Sequence, residues 1–261
     1  MTAEQFLDHF SQAAPAYAAF RPLYPRSLFA ALAARAPSRH LAWDCATGSG
    51  QAAVGLAGHF EQVIATDASA AQLAAAILHP RVKYHRALAH ESGLEQQSVA
   101  LVTVAQALHW LDRPAFYEEA RRVLQPGGVA AAWCYALMEI EPSIDELVQS
   151  FYAETVGPYW PPERKLTETG YRTLDFPFDE FSLPTMHIEA ALTCPELAGS
   201  LRTWSATIRC RAATGHDPVS DLLRLLHPLW GAAEQRRLVR WPLFVRAGYA
   251  SRACALTARI G

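Results

Sequence analysis

Between His40 and Ala53 the chain passes from a short, mostly apolar run through an acid, Asp44. It then crosses a turn of small residues, Ala46-Thr47-Gly48-Ser49-Gly50, into the alanine-rich start Gln51-Ala52-Ala53. The apolar run reads as a buried strand and the segment after Gly50 as a helix. A strand that feeds a helix through a glycine loop aims backbone N–H groups and a helix N-terminus at one point, which makes a cradle for a nucleotide-type cofactor. Glycine at positions 48 and 50 would let a ligand approach the backbone, since a Cβ there would push it away. The plainer alternative is an ordinary tight β–α turn in an α/β protein.

Two cofactors suit such a loop. Gly48-Ser49-Gly50-Gln51-Ala52-Ala53 fits the relaxed dinucleotide pattern G-x-G-x-x-G/A. Read from Asp44, the same stretch resembles the acidic-x-G-x-G-x-G loop of class I S-adenosylmethionine (AdoMet)-dependent methyltransferases, with Ala46 standing where that pattern has its first glycine. The acid separates the two. A carboxylate at the strand end would be repelled by the phosphates of NAD and welcomed by the ammonium and sulfonium of AdoMet, which has no phosphate.

The chain has 261 residues, half of them hydrophobic (51%), with a net charge of −2. That length suits one α/β domain with insertions or a small lid. The charge argues against a general nucleic-acid binder or a membrane-surface protein. No apolar run is long enough to span a bilayer, and Met1-Thr2-Ala3-Glu4-Gln5 lacks the start of a secretory signal. The five cysteines, Cys45, Cys134, Cys194, Cys210 and Cys254, are scattered and form no metal-ligand spacing. Free thiols in a cytoplasmic protein without a metal are expected.

Ahead of the loop, residues Phe6 to Ala36 are helical in pattern but interrupted by Pro22 and Pro25, which hold an extended kink beside Tyr17, Arg21 and Tyr24. A helix follows from about Ser27 to Ala36. Residues 1–36 are expected to form an N-terminal helical lid segment, with Tyr17 and Arg21 facing the site. A helical extension packed on the sheet is the alternative.

After the loop come a helix to Ala57 and a second strand, Gln62–Thr66, ending at Asp67. That acid follows the glycines at about the spacing at which doubly wound folds hold a ribose, and its two oxygens can accept from both hydroxyls. It could instead cap the helix that starts near Ser69. A third strand, Val82–Arg86, leads into Ala87-Leu88-Ala89-His90-Glu91, where Glu91 and the backbone near Ala89 and His90 could meet an adenine. The fourth strand, Ser98–Ala105, runs into Gln106-Ala107-Leu108-His109-Trp110. Strand carboxyl ends form the ligand crevice of such sheets, so His109 can serve there as a base or a donor and Trp110 as an apolar wall or cation–π face. A satisfied histidine and a core tryptophan are the alternative. Asp112 caps the next helix, Gln125-Pro126-Gly127-Gly128 terminates it, and Val129–Tyr135 is the fifth strand.

These motifs, together with Arg122-Val123-Leu124-Gln125-Pro126-Gly127-Gly128 and the N-terminal Phe-Ser…Tyr…Arg-Pro-x-Tyr-Pro segment, resemble class I methyltransferases. More narrowly they resemble the trans-aconitate methyltransferase-like branch. The resemblance covers about the first half of the chain. It implies an α/β, Rossmann-like class I methyltransferase fold in residues 37–261: a seven-stranded, mostly parallel sheet with helices on both faces, an antiparallel last strand and helical insertions after residue 135. It implies that Asp44, Gly48 and Gly50 line the methionine and ribose side of AdoMet, that Asp67 holds the ribose, and that Ala89, His90 and Glu91 meet the adenine. Ala46 and Gln106 complete the expected cofactor set.

Beyond Tyr135 the readings are coarser. Ser143–Val156 is expected as a helix, Gly157–Pro162 as a proline-aromatic loop at the site, Thr193–Trp204 and Ser220–Trp230 as helices, and parts of 176–190 and 240–249 as the last strands. Tyr17, Arg21, His109, Trp110 and Trp160 are the expected walls of an acceptor pocket for a small molecule. An arginine fork there suits a carboxylic acid, and the resembled branch methylates a small polycarboxylate. The single arginine in view favours a monocarboxylate with an apolar body, on a monomer or homodimer. An AdoMet-binding protein without activity and an NAD-binding oxidoreductase are the competing functions.

Overall fold

The computed structural model describes residues 22–250, so Tyr17, Arg21 and most of the expected lid lie outside the described residues. The apolar runs of the first half become the inner strands of one sheet. β1 (Leu41–Cys45), β2 (Gln62–Asp67) and β4 (Val99–Ala105) are buried almost throughout, as parallel strands covered on both faces must be. β3 (Val82–Arg86) alternates and exposes its polar side chains because it forms the edge. β5 (Leu124–Tyr135) pairs parallel to β4 on the other side.

The strand order is β3-β2-β1-β4-β5-β8-β6, with β7 also on β8. β8 (Arg237–Tyr249) is antiparallel to β5 and to both β6 (Asp179–Glu180) and β7 (Met186–Leu192). The registers of β6 and β7 follow one another along the same partner with a one-residue offset. They act as one strand interrupted at 181–185, a stretch that contains Pro184. Among the described residues the sheet is therefore seven strands wide, and the last described strand is the antiparallel one. Between β3 and β4 the chain returns across the sheet, which puts the switch point between β1 and β4. The loops after these strands diverge there and leave a crevice.

α1 (Arg26–Arg35) buries Leu28, Phe29, Leu32 and Ala33 against α2 (Gln51–Ala57). The contact is close: a Cβ on Gly55 would stand 2.2 Å from the Phe29 ring. α4 (Arg113–Val123) covers the opposite face, where Trp43 is fully buried and donates from Nε1 to Thr66 Oγ1 at 2.9 Å. Caps fall where the sequence places them. The Asp112 side chain accepts from Ala115 N, and Ser69 accepts from Gln72 N at the start of α3 (Ala70–Ala74).

Several elements differ from the sequence reading. Pro126-Gly127-Gly128 does not separate helix from strand. It is taken into β5 as an irregularity, with Gly127 at φ +74°. The helix expected over 143–156 is α5 (Pro142–Ser150) continued by a π-helical turn, Phe151–Thr155. A short helix, α6 (Arg164–Glu168), was not anticipated. The remaining helices among the described residues are α7 (Cys194–Arg202), with a Thr193/Glu196 capping box, α8 (Ser205–Thr214), which was also not anticipated, and α9 (Pro218–Trp230). Among the described residues no helix is long and apolar enough to cross a membrane.

Candidate active site

The turn after β1 folds back on itself through left-handed residues, Ala46 at φ +53°, Gly48 at +57° and Gly50 at +83°. Asp44 is fully buried beneath it, accepting from Thr47 Oγ1 at 2.5 Å and Thr103 Oγ1 at 2.7 Å. Burial pushes this carboxyl up to about 6, against the opposing pull of its hydroxyl partners. The two glycines serve different ends. A Cβ on Gly50 would stand 2.1 Å from the Tyr84 hydroxyl, so this glycine is required by the protein's own packing. A Cβ on Gly48 would meet only Gln72 Oε1, at 3.7 Å, so the space over Gly48 is open. Gln51 begins α2 directly behind the turn.

Asp67, at the end of β2, ties this turn to the next helix. Its Oδ2 accepts from Gly48 N and its Oδ1 from Ser69 N, both at 2.8 Å. The cap of α3 is Ser69 itself, which leaves Asp67 as the bridge between two crevice-lining loops. Next to it, Ala89 and His90 are half-buried and Glu91 is exposed. That loop is fastened from behind. Ser92 donates from backbone and side chain to Glu119, which pairs with Arg122, and Arg122 donates to the Leu94 carbonyl. These partners outweigh burial and hold Glu119 down at about 2.

On the β4 side Gln106 is also left-handed, at φ +55°. Its N–H donates to Trp133 O, and its Oε1 accepts from Tyr135 N. A short 3-10 turn, Leu108–Trp110, then presents His109 and Trp110. With Trp160 they line one pocket together with Gln106, Tyr135, Arg164 and Trp204. Four of the residues expected from the sequence thus share one wall system. Arg164, from α6, was missed. Its Nε donates to the Tyr152 hydroxyl at 2.9 Å, and its guanidinium lies 4.8 Å from the Trp160 ring centre and 5.4 Å from that of Tyr152. The π-helical turn sets this up by placing Tyr152, whose carbonyl also accepts from Trp160 Nε1. Among the described residues no carboxylate stands within ion-pair distance of Arg164.

Residues 43–132 match the model of a methyltransferase domain. A Dictyostelium discoideum protein with a provisional methyltransferase name is 35% identical over 229 residues, spanning 86% of this chain and 87% of that protein. The chain belongs to the methyltransferase family. A solved structure from Anaeromyxobacter dehalogenans, provisionally named a type II methyltransferase, is 44% identical, with a TM-score of 0.85 over 88% of this chain and 98% of that one. Methyltransferase pgmE of Aspergillus terreus is 24% identical over 202 residues, 70% of this chain and 60% of that protein. The oxidoreductase reading of the glycine loop is set aside, and the sheet is that of the class I methyltransferases.

In this methyltransferase Ala46 occupies a conformation that suits glycine. Ala46→Gly is expected to raise stability by about 0.5–1 kcal/mol, because the left-handed strain of a Cβ exceeds the extra unfolded-state freedom of glycine. Urea unfolding measures it, and a lower midpoint would mean that the methyl group contributes packing that outweighs the strain.

Proposed function

We propose that this methyltransferase transfers the methyl group of AdoMet to a small carboxylic acid with an apolar body. The observation that carries the proposal is Arg164, a guanidinium without a carboxylate partner among the described residues, set in a pocket walled by Trp110, Trp160, Trp204 and Tyr135. A planar fork held against aromatic faces suits a carboxylate, and the rings suit the rest of the molecule.

The cofactor would lie along the crevice between β1 and β4. Asp67 would accept from the ribose hydroxyls, and Glu91 with the backbone of Ala89 and His90 would meet the adenine. The open face of Gly48 fits a ligand that approaches the backbone. The Asp44 charge, with Ala46, Gly50 and Gln106 around it, fits a cationic methionine moiety. When bound, AdoMet supplies a sulfonium methyl: the acceptor oxygen forms the new bond to carbon as the carbon–sulfur pair leaves with sulfur. The protein's share is to hold the acceptor in line and keep water out, so that near-attack geometry does most of the work. Tyr17 and Arg21 would add to the same pocket from the N-terminal segment.

A methyl-transfer screen across small carboxylic acids, phenols and amines tests this. Methyl esters of aromatic or branched acids are the expected products. Turnover of phenols or amines with inert acids would overturn the carboxylate reading.

A further inference from the structure

Among the buried titratable groups near this pocket, His109 and Tyr171 stand apart. Tyr171 is wholly buried, follows α6 and takes a left-handed conformation at φ +61°. Its hydroxyl lies 2.7 Å from His109 Nδ1. Among the described residues that hydroxyl has no further acceptor within bonding distance. If His109 carried its proton on Nδ1, that N–H would donate to the phenol oxygen and the buried O–H would have no acceptor among the described residues. The O–H must therefore donate to Nδ1, which puts the histidine proton on Nε2. That atom takes no bond among the described residues, and His109 is one of the residues that line the pocket.

The electrostatics agree. Burial and the positive charges of Arg164, from α6, and Arg113, from α4, push His109 down to about 3. Tyr171 is pushed far up by burial and by facing Cys134 on β5 and Tyr24. Neither group changes charge near neutrality.

We propose that Tyr171 is a positioning residue that locks His109 as a neutral Nε2–H donor to the methyl acceptor, so that the enzyme takes an acceptor already ionised in water and uses no histidine base. The proposal rests on the reading of the pocket as the acceptor site. It narrows the acceptor to an oxyanion that exists at neutral pH, held by one N–H from His109 and the fork of Arg164. No proton is transferred in the step: the oxyanion lone pair would form the oxygen–carbon bond as the methyl carbon–sulfur bond breaks with its electron pair on sulfur, and the product would be a neutral ester.

Two measurements test it. In 15N-histidine-labelled protein, two-bond proton–nitrogen spectra should show a bare Nδ1 and a protonated Nε2 for His109, unchanged from about pH 8 to about pH 5. Tyr171→Phe, which keeps the ring volume, should release this lock and give mixed tautomers. For turnover, His109→Ala should lose at least about tenfold in kcat/KM, the worth of one hydrogen bond to a charged group. His109→Gln, which offers an N–H and cannot take a proton, should recover most of that loss. An Nδ1-protonated ring in the wild type overturns the proposal. So does a rate that rises with pH through a group titrating between about 5 and 8 and disappears with His109→Gln. The spectra need no acceptor, so a fixed Nε2–H tautomer alongside inert carboxylic acids would sink the acceptor reading while upholding the role of Tyr171.

Discussion

Asp67→Ala is expected to weaken AdoMet and S-adenosylhomocysteine binding by at least about tenfold and up to roughly 150-fold. Each hydrogen bond between a carboxylate and a ribose hydroxyl contributes about 1.5–3 kcal/mol. The structure adds a second route to the same loss. The carboxylate already accepts from Gly48 N and Ser69 N, so its removal also frees the glycine turn from the end of β2. Affinity should then fall further than ribose contacts alone predict, and the melting temperature should drop even without ligand. Asp67→Asn separates the two effects. An amide oxygen can keep one backbone bond, so thermal stability should return in part, while the loss of charge keeps binding weak. Titration calorimetry with S-adenosylhomocysteine and melting of the ligand-free protein give the two readings. Wild-type affinity in a folded Asp67→Ala protein would reduce this residue to a loop fastener.

The inner strands and the glycine turn were legible because each has a local cause. Apolar runs such as Val99–Ala105 can only be buried, Asp112 and Ser69 are good caps in the right places, and Gly48 and Gly50 mark a turn in any reading. His109, Trp110 and Trp160 could be grouped because they follow strand ends or a proline break. The rest of the site depends on contacts that no local pattern encodes. Arg164 lies on a helix of five residues, and its place beside Trp160 is set by Tyr152 from a π-helical turn. Only the Pro161-Pro162 pair ahead of it hinted that the segment turns back towards the site. Tyr171 follows Gly170 in a second left-handed position, a sign of a tight reversal rather than of a partner for His109. The division of labour between the glycines was equally hidden. Gly50 reads as a ligand contact in the motif, yet it is Tyr84, from the third strand, that forbids a side chain there.

Strain points to the same region. Of the four non-glycine residues with positive φ among those described, Ala46 and Gln106 end the two central strands, and Tyr171 backs His109. Such conformations persist where the surroundings over-determine them. Here they are the positions where the chain leaves β1 and β4 and where Tyr171 meets the histidine.

Arg164→Ala is expected to lower kcat/KM for a carboxylic acid acceptor by about 10- to 150-fold, the range for losing a hydrogen-bonded charge pair, while S-adenosylhomocysteine affinity stays at the wild-type level. The second half of that expectation follows from position. Arg164 stands with Trp160 and Trp204 in the pocket proposed for the acceptor, not along the glycine turn or Asp67. Arg164→Lys should recover little, although the charge is kept. The guanidinium is seated by its Nε bond to Tyr152 and by the faces of Trp160 and Tyr152. An ammonium on a flexible stem reproduces neither the fork nor the stacking. Tyr152→Phe should fall between wild type and Arg164→Ala, because it removes the Nε bond and leaves both rings. Initial rates with a set of acids and their neutral amides decide the matter. If Arg164 binds the carboxylate, the variant closes the gap between acid and amide. If it loses rate equally on both, Arg164 only supports the aromatic wall, and the acceptor's charge must be recognised elsewhere.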